Sequence, residues 1–276
     1  MKKEVRRSIL AGSWYPGRPE TLRGDIETYF RNVPEREIPG RIVGLVAPHA
    51  GYVYSGQVAA HAYKLIRNAP YEKVIVISPS HRMHFDGVAL WRGAGYETPL
   101  GVVPVDQELA ESVLDADGPV AEIPAAHAGE HSLEIQLPFL QVALGEFSFV
   151  PLVMGTQDER TCRRLAEVIA GAVAGRRTLV VGSSDLSHFH SHSEAVRLDS
   201  VMLEHLKNFN PDGLLRDLAR RSCEACGGGP AAATMMAARA LGAERAELLK
   251  YANSGDVTGD RREVVGYASA VFYAAS

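Results

Sequence analysis

The chain has 276 residues, 46% of them hydrophobic and 22% charged, with a formal net charge of -4. That composition supports a sizeable buried core and argues against a general nucleic-acid surface, a solvated acidic tail or a disordered chain. No run approaches the ~18 consecutive apolar residues that a bilayer span needs, and the opening MKKEVRRSIL AGSWYPG has too short an apolar stretch for a signal peptide.

Short β-branched runs alternate with helical patterns along the chain. In order, the spacing predicts a helix over 20–32, a strand over 42–47, a helix over 57–67, and strands over 73–78 and 87–91. Helices over 106–114 and 133–144 follow, then a strand over 147–154, a helix over 159–174 and a strand over 178–183. Helices over 194–209, 211–220 and 231–241 precede two final strands, 248–253 and 264–273. VIVIS and TLVVGS are apolar on both alternating faces, as in a parallel sheet covered on both sides. The expected fold is α/β, a three-layer sandwich with a central, mostly parallel sheet, and residues 1–276 are expected to form one domain.

Three of the ten histidines follow predicted strands in the same way: His49 in PHAGY, His81 in PSHR and His188 in DLSH. In open α/β sheets ligands gather outside the carboxyl ends of the strands, so these exits aim imidazoles at one crevice. Imidazole ligates Zn, Cu, Fe and Ni and moves protons near neutral pH. His61 and His205 fall in predicted helices and are read as packing or surface residues. His190 and His192 are read as solvent-facing. Glu130 and His131, in HAGEHS, either reach the pocket or cap the following helix, and His127 flanks them. No HExxH metalloprotease pattern is present.

The three cysteines are an odd number in a long chain, which suits a reducing compartment, and a cytoplasmic location is expected. Cys162 is read as a packing residue. Cys223 and Cys226 precede Gly227-Gly228-Gly229 and an Ala-rich helix. A thiol near a helix N-terminus is expected to have a lowered pKa, and the glycines permit close approach. A second ligand pair for a structural zinc site is absent, so one thiolate joining the histidines remains, with Cys226 beside the glycines as the candidate. The stretch 253–260 reads as a turn-rich loop between strands, with Asp256 and Asp260 facing either the pocket or solvent. Tyr52 and Tyr54 either contact a substrate or pack under the glycines.

AGSWYP, APHAGYVYSG, SPSHR, EHSLEIQLPF, SSDLSHF, the CG of ACGGGP and YANSGDVTG, in that order, resemble the Memo family from about Ser13 to Phe272. The nearest branch is prokaryotic, the B component of a system with AMMECR-type and radical SAM proteins. The resemblance implies a fold like that of the LigB-type, class III extradiol dioxygenases. It implies a metal site of His49, His81 and Cys226, with Asp185 and His188 as further pocket residues. On that basis His188 is expected as acid/base, oriented by Asp185 through a hydrogen bond, while the reading of the residues themselves puts Tyr54, Glu130 and His131 at the substrate. A thiolate in place of the dioxygenase carboxylate favours iron or copper, with zinc as a further choice. Fold does not fix function. Two readings follow from the resemblance: a metal-dependent oxidoreductase of unknown substrate, or a non-catalytic metal-binding adaptor that recognises a peptide or an AMMECR-type or radical SAM partner.

Overall fold

A computed structural model describes residues 3–114, 118–173 and 175–275. In chain order the elements begin β1 (Val5–Arg6), α1 (Pro19–Arg31), β2 (Gly40–Ala47), α2 (Tyr52–Leu65), β3 (Lys73–Pro79), β4 (Val88–Leu90), β5 (Gly95–Thr98) and β6 (Gly101–Pro104). They continue with α3 (Gln107–Val113), β7 (Val120–Glu122), α4 (Pro124–Ala128), a 3-10 turn at Glu134–Gln136, α5 (Leu137–Leu144), β8 (Ser148–Met154) and α6 (Glu159–Ala172). The remainder is β9 (Thr178–Ser183), β10 (Asp185–His190), α7 (His192–Lys207), α8 (Pro211–Ala219), α9 (Gly228–Ala240), β11 (Arg245–Asn253), α10 (Ser254–Thr258) and β12 (Val264–Ala275).

The large sheet runs β10-β12-β2-β9-β3-β8-β4-β7, with β11 also on β12. Its centre, β2, β9, β3 and β8, is parallel throughout. These are the predicted runs with two apolar faces, and both faces are covered: Val74 to Ile77 and Leu179 to Val181 are fully buried. Antiparallel pairings lie outside that centre, β12 against β2, β10 and β11 on one side and β4 against β8 on the other. A second sheet, β1-β5-β6, is small.

Helices flank the large sheet. α9, backed by α6 and α8, packs on β2, β9 and β3, while α2, backed by α1 and α5, packs on β2, β11 and β12. Gly44 and Gly182 face α9 so closely that a Cβ would stand 3.2 Å from Thr234 Cγ2 in one case and 2.7 Å from Thr234 Oγ1 in the other. Among the described residues no helix is long and apolar enough to cross a membrane.

Several boundaries differ from the sequence reading for local reasons. α2 starts at Tyr52 rather than residue 57, directly after His49-Ala50-Gly51. The helix over 133–144 opens as a 3-10 turn. The helix over 159–174 ends at Ala172, and Ala174 lies outside the described residues. Asp106 and Asp158 precede α3 and α6 and accept from Leu109 N and Thr161 N, the usual N-cap geometry. The expected loop at 253–260 holds α10, begun by an Asn253/Asp256 capping box. Asp256 is thereby occupied by the Asn253 amide, and Asp260 pairs with exposed Arg262, so neither faces the pocket. β10 was expected as a strand exit and is itself a strand, bulged against β12.

Candidate metal centre

Strand exits bring the histidines together. After β2, His49 is buried, and its ring centroid lies 5.2 Å from that of His81 and 5.6 Å from that of His131. His81 and His131 are 4.4 Å apart, and Trp14 covers His131 at 4.6 Å. From the other side Cys226 Sγ approaches His49 Nε2 to 3.0 Å. The ligand atoms of His49, His81 and Cys226 all lie within 4.8 Å of one another. Metal–nitrogen and metal–sulfur bonds of about 2.0–2.3 Å at tetrahedral angles put ligand atoms about 3.5 Å apart. With His49 Nε2 and Cys226 Sγ 3.0 Å apart and no pair beyond 4.8 Å, side-chain adjustment would let the set hold one ion.

Cys226 is placed by the glycines behind it. A Cβ on Gly227 would lie 2.1 Å from Ser183 O, on Gly228 2.4 Å from Leu218 Cδ1, and on Gly229 2.6 Å from Gln157 Cβ. The glycine run therefore lets the start of α9 press against the end of β9. Gln157 locks the turn, donating to Cys226 O and accepting from Gly229 N. The expected lowering of the thiol pKa is not found: burial, then the nearby Asp185 charge, pushes the Cys226 thiol well above its ordinary value. Proximity to a helix N-terminus does not outweigh loss of solvent here.

The far nitrogen of each candidate ligand imidazole is occupied. His49 Nδ1 lies 2.9 Å from Ser183 Oγ. Gln136 fixes the proton there. Its Oε1 accepts from Tyr63 O–H, so its Nε2 donates to Pro48 O and to Ser183 Oγ. Ser183 gives its single proton to Ser132 O. His49 Nδ1 must then donate to Ser183, which leaves Nε2 bare towards Cys226. Burial, then neighbouring His81 and His131, holds the His49 pKa well below its ordinary value, so the ring is neutral.

His81 is held by Glu130, which accepts from His81 N at 2.6 Å and from His81 Nδ1 at 2.9 Å. Glu130 also accepts from His131 N and Ser132 N. Burial alone would raise its pKa, but these donors, His81 first, bring it to about 2. Glu130, expected at the substrate, is a buried carboxylate that orients the imidazole of the candidate ligand His81. His131 stays beside the ligands, its pKa lowered to about 4 chiefly by burial. Tyr54 is exposed near the start of α2, whereas Tyr52 is buried and donates to Ile135 O.

Asp185 and His188 are both at the site but not joined as expected. Asp185 Oδ1 accepts from His49 N at 2.7 Å, so this carboxylate fixes the backbone of His49, a candidate ligand, rather than His188. Burial raises its pKa to about 7. The β10 bulges separate the two residues, and Phe189, at φ +61°, is left-handed in a bulky side chain. His188 lines the cleft that Cys226 also lines, and burial lowers its pKa. His127 is a core residue, bonded to Tyr96 Oη and Ala89 O, with its pKa lowered to about 3 by burial. His190 pairs with Glu224, His205 with Asp217, and His192 meets Asn253.

Sequence reasoning missed the supports of the site. Gln136 and Ser183 set the His49 tautomer. Glu134, fully buried, pairs with Arg6 at 2.6 Å and accepts from Tyr15 Oη and Ser8 Oγ. Arg6 also donates to His127 O and Glu130 O, tying the N-terminal segment to the loop that carries Glu130 and His131. The available signal was a Glu and a Gln inside the apolar run SLEIQLPFL.

Taken together, the molecule is an α/β protein with a histidine–cysteine group, able to hold a metal ion, at the carboxyl ends of its central strands. The chain belongs to the Memo family: the Memo-like protein family matches residues 6–271. A MEMO1 family protein of Methanopyrus kandleri is 41% identical over 97% of this chain and 98% of its own. One from Ignicoccus hospitalis is likewise 41% identical over 97% and 98%, and one from Methanosarcina mazei 39% over 97% and 99%. An uncharacterized protein from Escherichia coli K12 shares the fold at a TM-score of 0.52 and 14% identity, over 84% of this chain and 100% of that one.

Proposed function

We propose that this protein is a metal-dependent redox enzyme in which His49, His81 and Cys226 hold one ion, iron or copper ahead of zinc. The observation that carries the reading is the 3.0 Å approach of His49 Nε2 to Cys226 Sγ, with His81 in reach and the far nitrogens of both imidazoles occupied. Two imidazoles and a thiolate are a soft donor set, better matched to these metals than to magnesium or calcium. When bound, such an ion supplies Lewis acidity and one-electron chemistry. His188, neutral because burial lowers its pKa, is the group in the cleft that can accept a proton from a substrate. The kinship with LigB-type extradiol dioxygenases belongs to the same reading, without ring cleavage, because a thiolate stands where those enzymes use a carboxylate.

Metal analysis of anaerobically purified protein tests it, since a thiolate ligand oxidises in air. Near-stoichiometric iron or copper, lost from a His49→Ala/His81→Ala variant, is expected. The same metal content in both proteins would refute the assignment.

A second reading, a non-catalytic metal-binding adaptor, is favoured by large apolar side chains exposed on the same segments: Trp14, Val53, Tyr54 and Phe189, the last 70% exposed. Its partners would be a peptide or the AMMECR-type and radical SAM proteins. Metal binding without oxygen consumption on any phenol or thiol, together with co-purification at micromolar concentration, would favour this reading. Turnover abolished by Cys226→Ser would exclude it.

A further inference from the structure

A cleft of about 730 Å³ opens beside the thiol. His188, Cys226 and Gly229 line it together with Gln157, the side chain that braces the Cys226 turn. Its apolar lining comes from Leu215, Leu218 and Ala219 of α8 and from Ala225. Leu218 is pinned there, because Gly228 leaves it room that any Cβ would take.

The charged groups around this cleft differ in whether they have partners. It has three acids, and each is already engaged: Asp158 caps α6 through Thr161 N, Glu159 pairs with Arg163, and Glu224 pairs with His190. It has two arginines, Arg216 and Arg221, and among the described residues neither guanidinium has a hydrogen-bond or ion-pair partner. Arg221 is also held at φ +58°, a left-handed conformation that a side-chain-bearing residue rarely adopts. The cleft thus joins the candidate ligand Cys226 and the proton-accepting His188 to an apolar wall and two unpaired, fork-shaped cations.

We propose that this cleft is the substrate groove of the metal centre, and that it takes a small molecule with an apolar body and an anionic group, a carboxylate, phosphate or sulfonate. The anion is held by Arg216 and Arg221, and the body lies along Leu215 and Leu218, which brings the other end to Cys226 and His188. Guanidinium is suited to this because its planar donors match such anions in pairs. Calling the groove a substrate groove rests on the metal-centre reading; its selectivity for an apolar anion does not.

The test is fluorescence titration of the metal-free protein with two probes of similar shape, anilinonaphthalene sulfonate and the uncharged phenylnaphthylamine. One sulfonate per chain is expected, bound about tenfold more tightly than the amine. Arg216→Gln and Arg221→Gln should each weaken the sulfonate by roughly three- to tenfold and leave the amine unchanged. Arg220→Gln, an exposed neighbour outside the cleft, should alter neither. Equal affinity for the two probes, or arginine variants that bind the sulfonate like the parent, would overturn the proposal. Because no metal is in the assay, that failure is distinct from a failure of the metal analysis.

Discussion

Ser183 Oγ stands 2.9 Å from His49 Nδ1 and, with its own proton given to Ser132 O, can only accept from that ring. A serine at the end of one central strand therefore decides which nitrogen of a candidate ligand on the neighbouring strand is bare. Ser183→Ala removes the acceptor and leaves Gln136 Nε2, Ser132 O and His49 Nδ1 short of a partner. The proton is then free to move to Nε2, where it competes with a metal ion. Loss of such a support typically lowers metal affinity about 10- to 100-fold, and a drop in that range is expected by chelator competition. The buried groups left unpaired should also cost about 1–3 kcal/mol in urea unfolding. Parent-like affinity would mean that the tautomer is set elsewhere.

Metal uptake should depend on pH through Cys226. Burial first, and then the Asp185 charge, push the thiol pKa well up, so near neutrality the metal-free protein carries a neutral thiol. Binding requires the thiolate and releases that proton. His49 contributes none, since its lowered pKa leaves it neutral already. Affinity should therefore rise by about tenfold between pH 7 and pH 8, measured by competition with a chelator of known protonation. Cys226→Ser should bind weakly and with a much flatter slope.

The central strands were readable because their short β-branched runs are apolar on both faces, as strands of a covered parallel sheet are. His49 and His81 were readable because they follow such strands directly. β10 was not, because DLSHFH is polar at most positions and owes its conformation to β12, some 80 residues later. Cys226 stood out only beside the glycines and through the family resemblance, since its closeness to His49 spans 177 positions. Gln136 and Glu134 fall inside the predicted helix over 133–144, where their polarity gives no sign of burial. They are 1% and 0% exposed, because Tyr63, Ser183, Arg6 and Tyr15 from distant segments satisfy them.

Arg6 and Glu134 form a buried ion pair with side-chain exposures of 6% and 0%. Removing one partner from such a pair strands the other charge, a loss of about 3–5 kcal/mol. Arg6→Met should fall in that range by urea denaturation, because His127 O and Glu130 O lose a donor as well. The N-terminal segment that sets Trp14 over His131 should loosen, read as increased quenching of Trp14 fluorescence in a Trp91→Phe background. A loss under 1 kcal/mol would show that water reaches the pair.

Glu130→Gln should uncouple His81 from the site without emptying the core. The carboxylate takes donors on both oxygens, His81 N on one and His81 Nδ1 on the other. A glutamine keeps one acceptor and turns its amide protons towards a donor, so one of the His81 bonds must break. Metal affinity should fall about 10- to 100-fold. The same substitution alters acid unfolding of the metal-free protein, and the sign is fixed by the shift. Burial would raise the Glu130 pKa, but the His81 and Ser132 donors bring it down to about 2 from 4.5. Between those values the unfolded chain binds a proton that the folded one does not, so stability rises with pH across the interval. The contribution is fully present above about pH 4.5 and disappears as the pH falls towards 2, on the order of 3 kcal/mol in all. Glu130→Gln should therefore flatten the stability curve between pH 4.5 and 2 relative to the parent. Parallel curves for the two proteins would mean that Glu130 is not held as an anion by these donors.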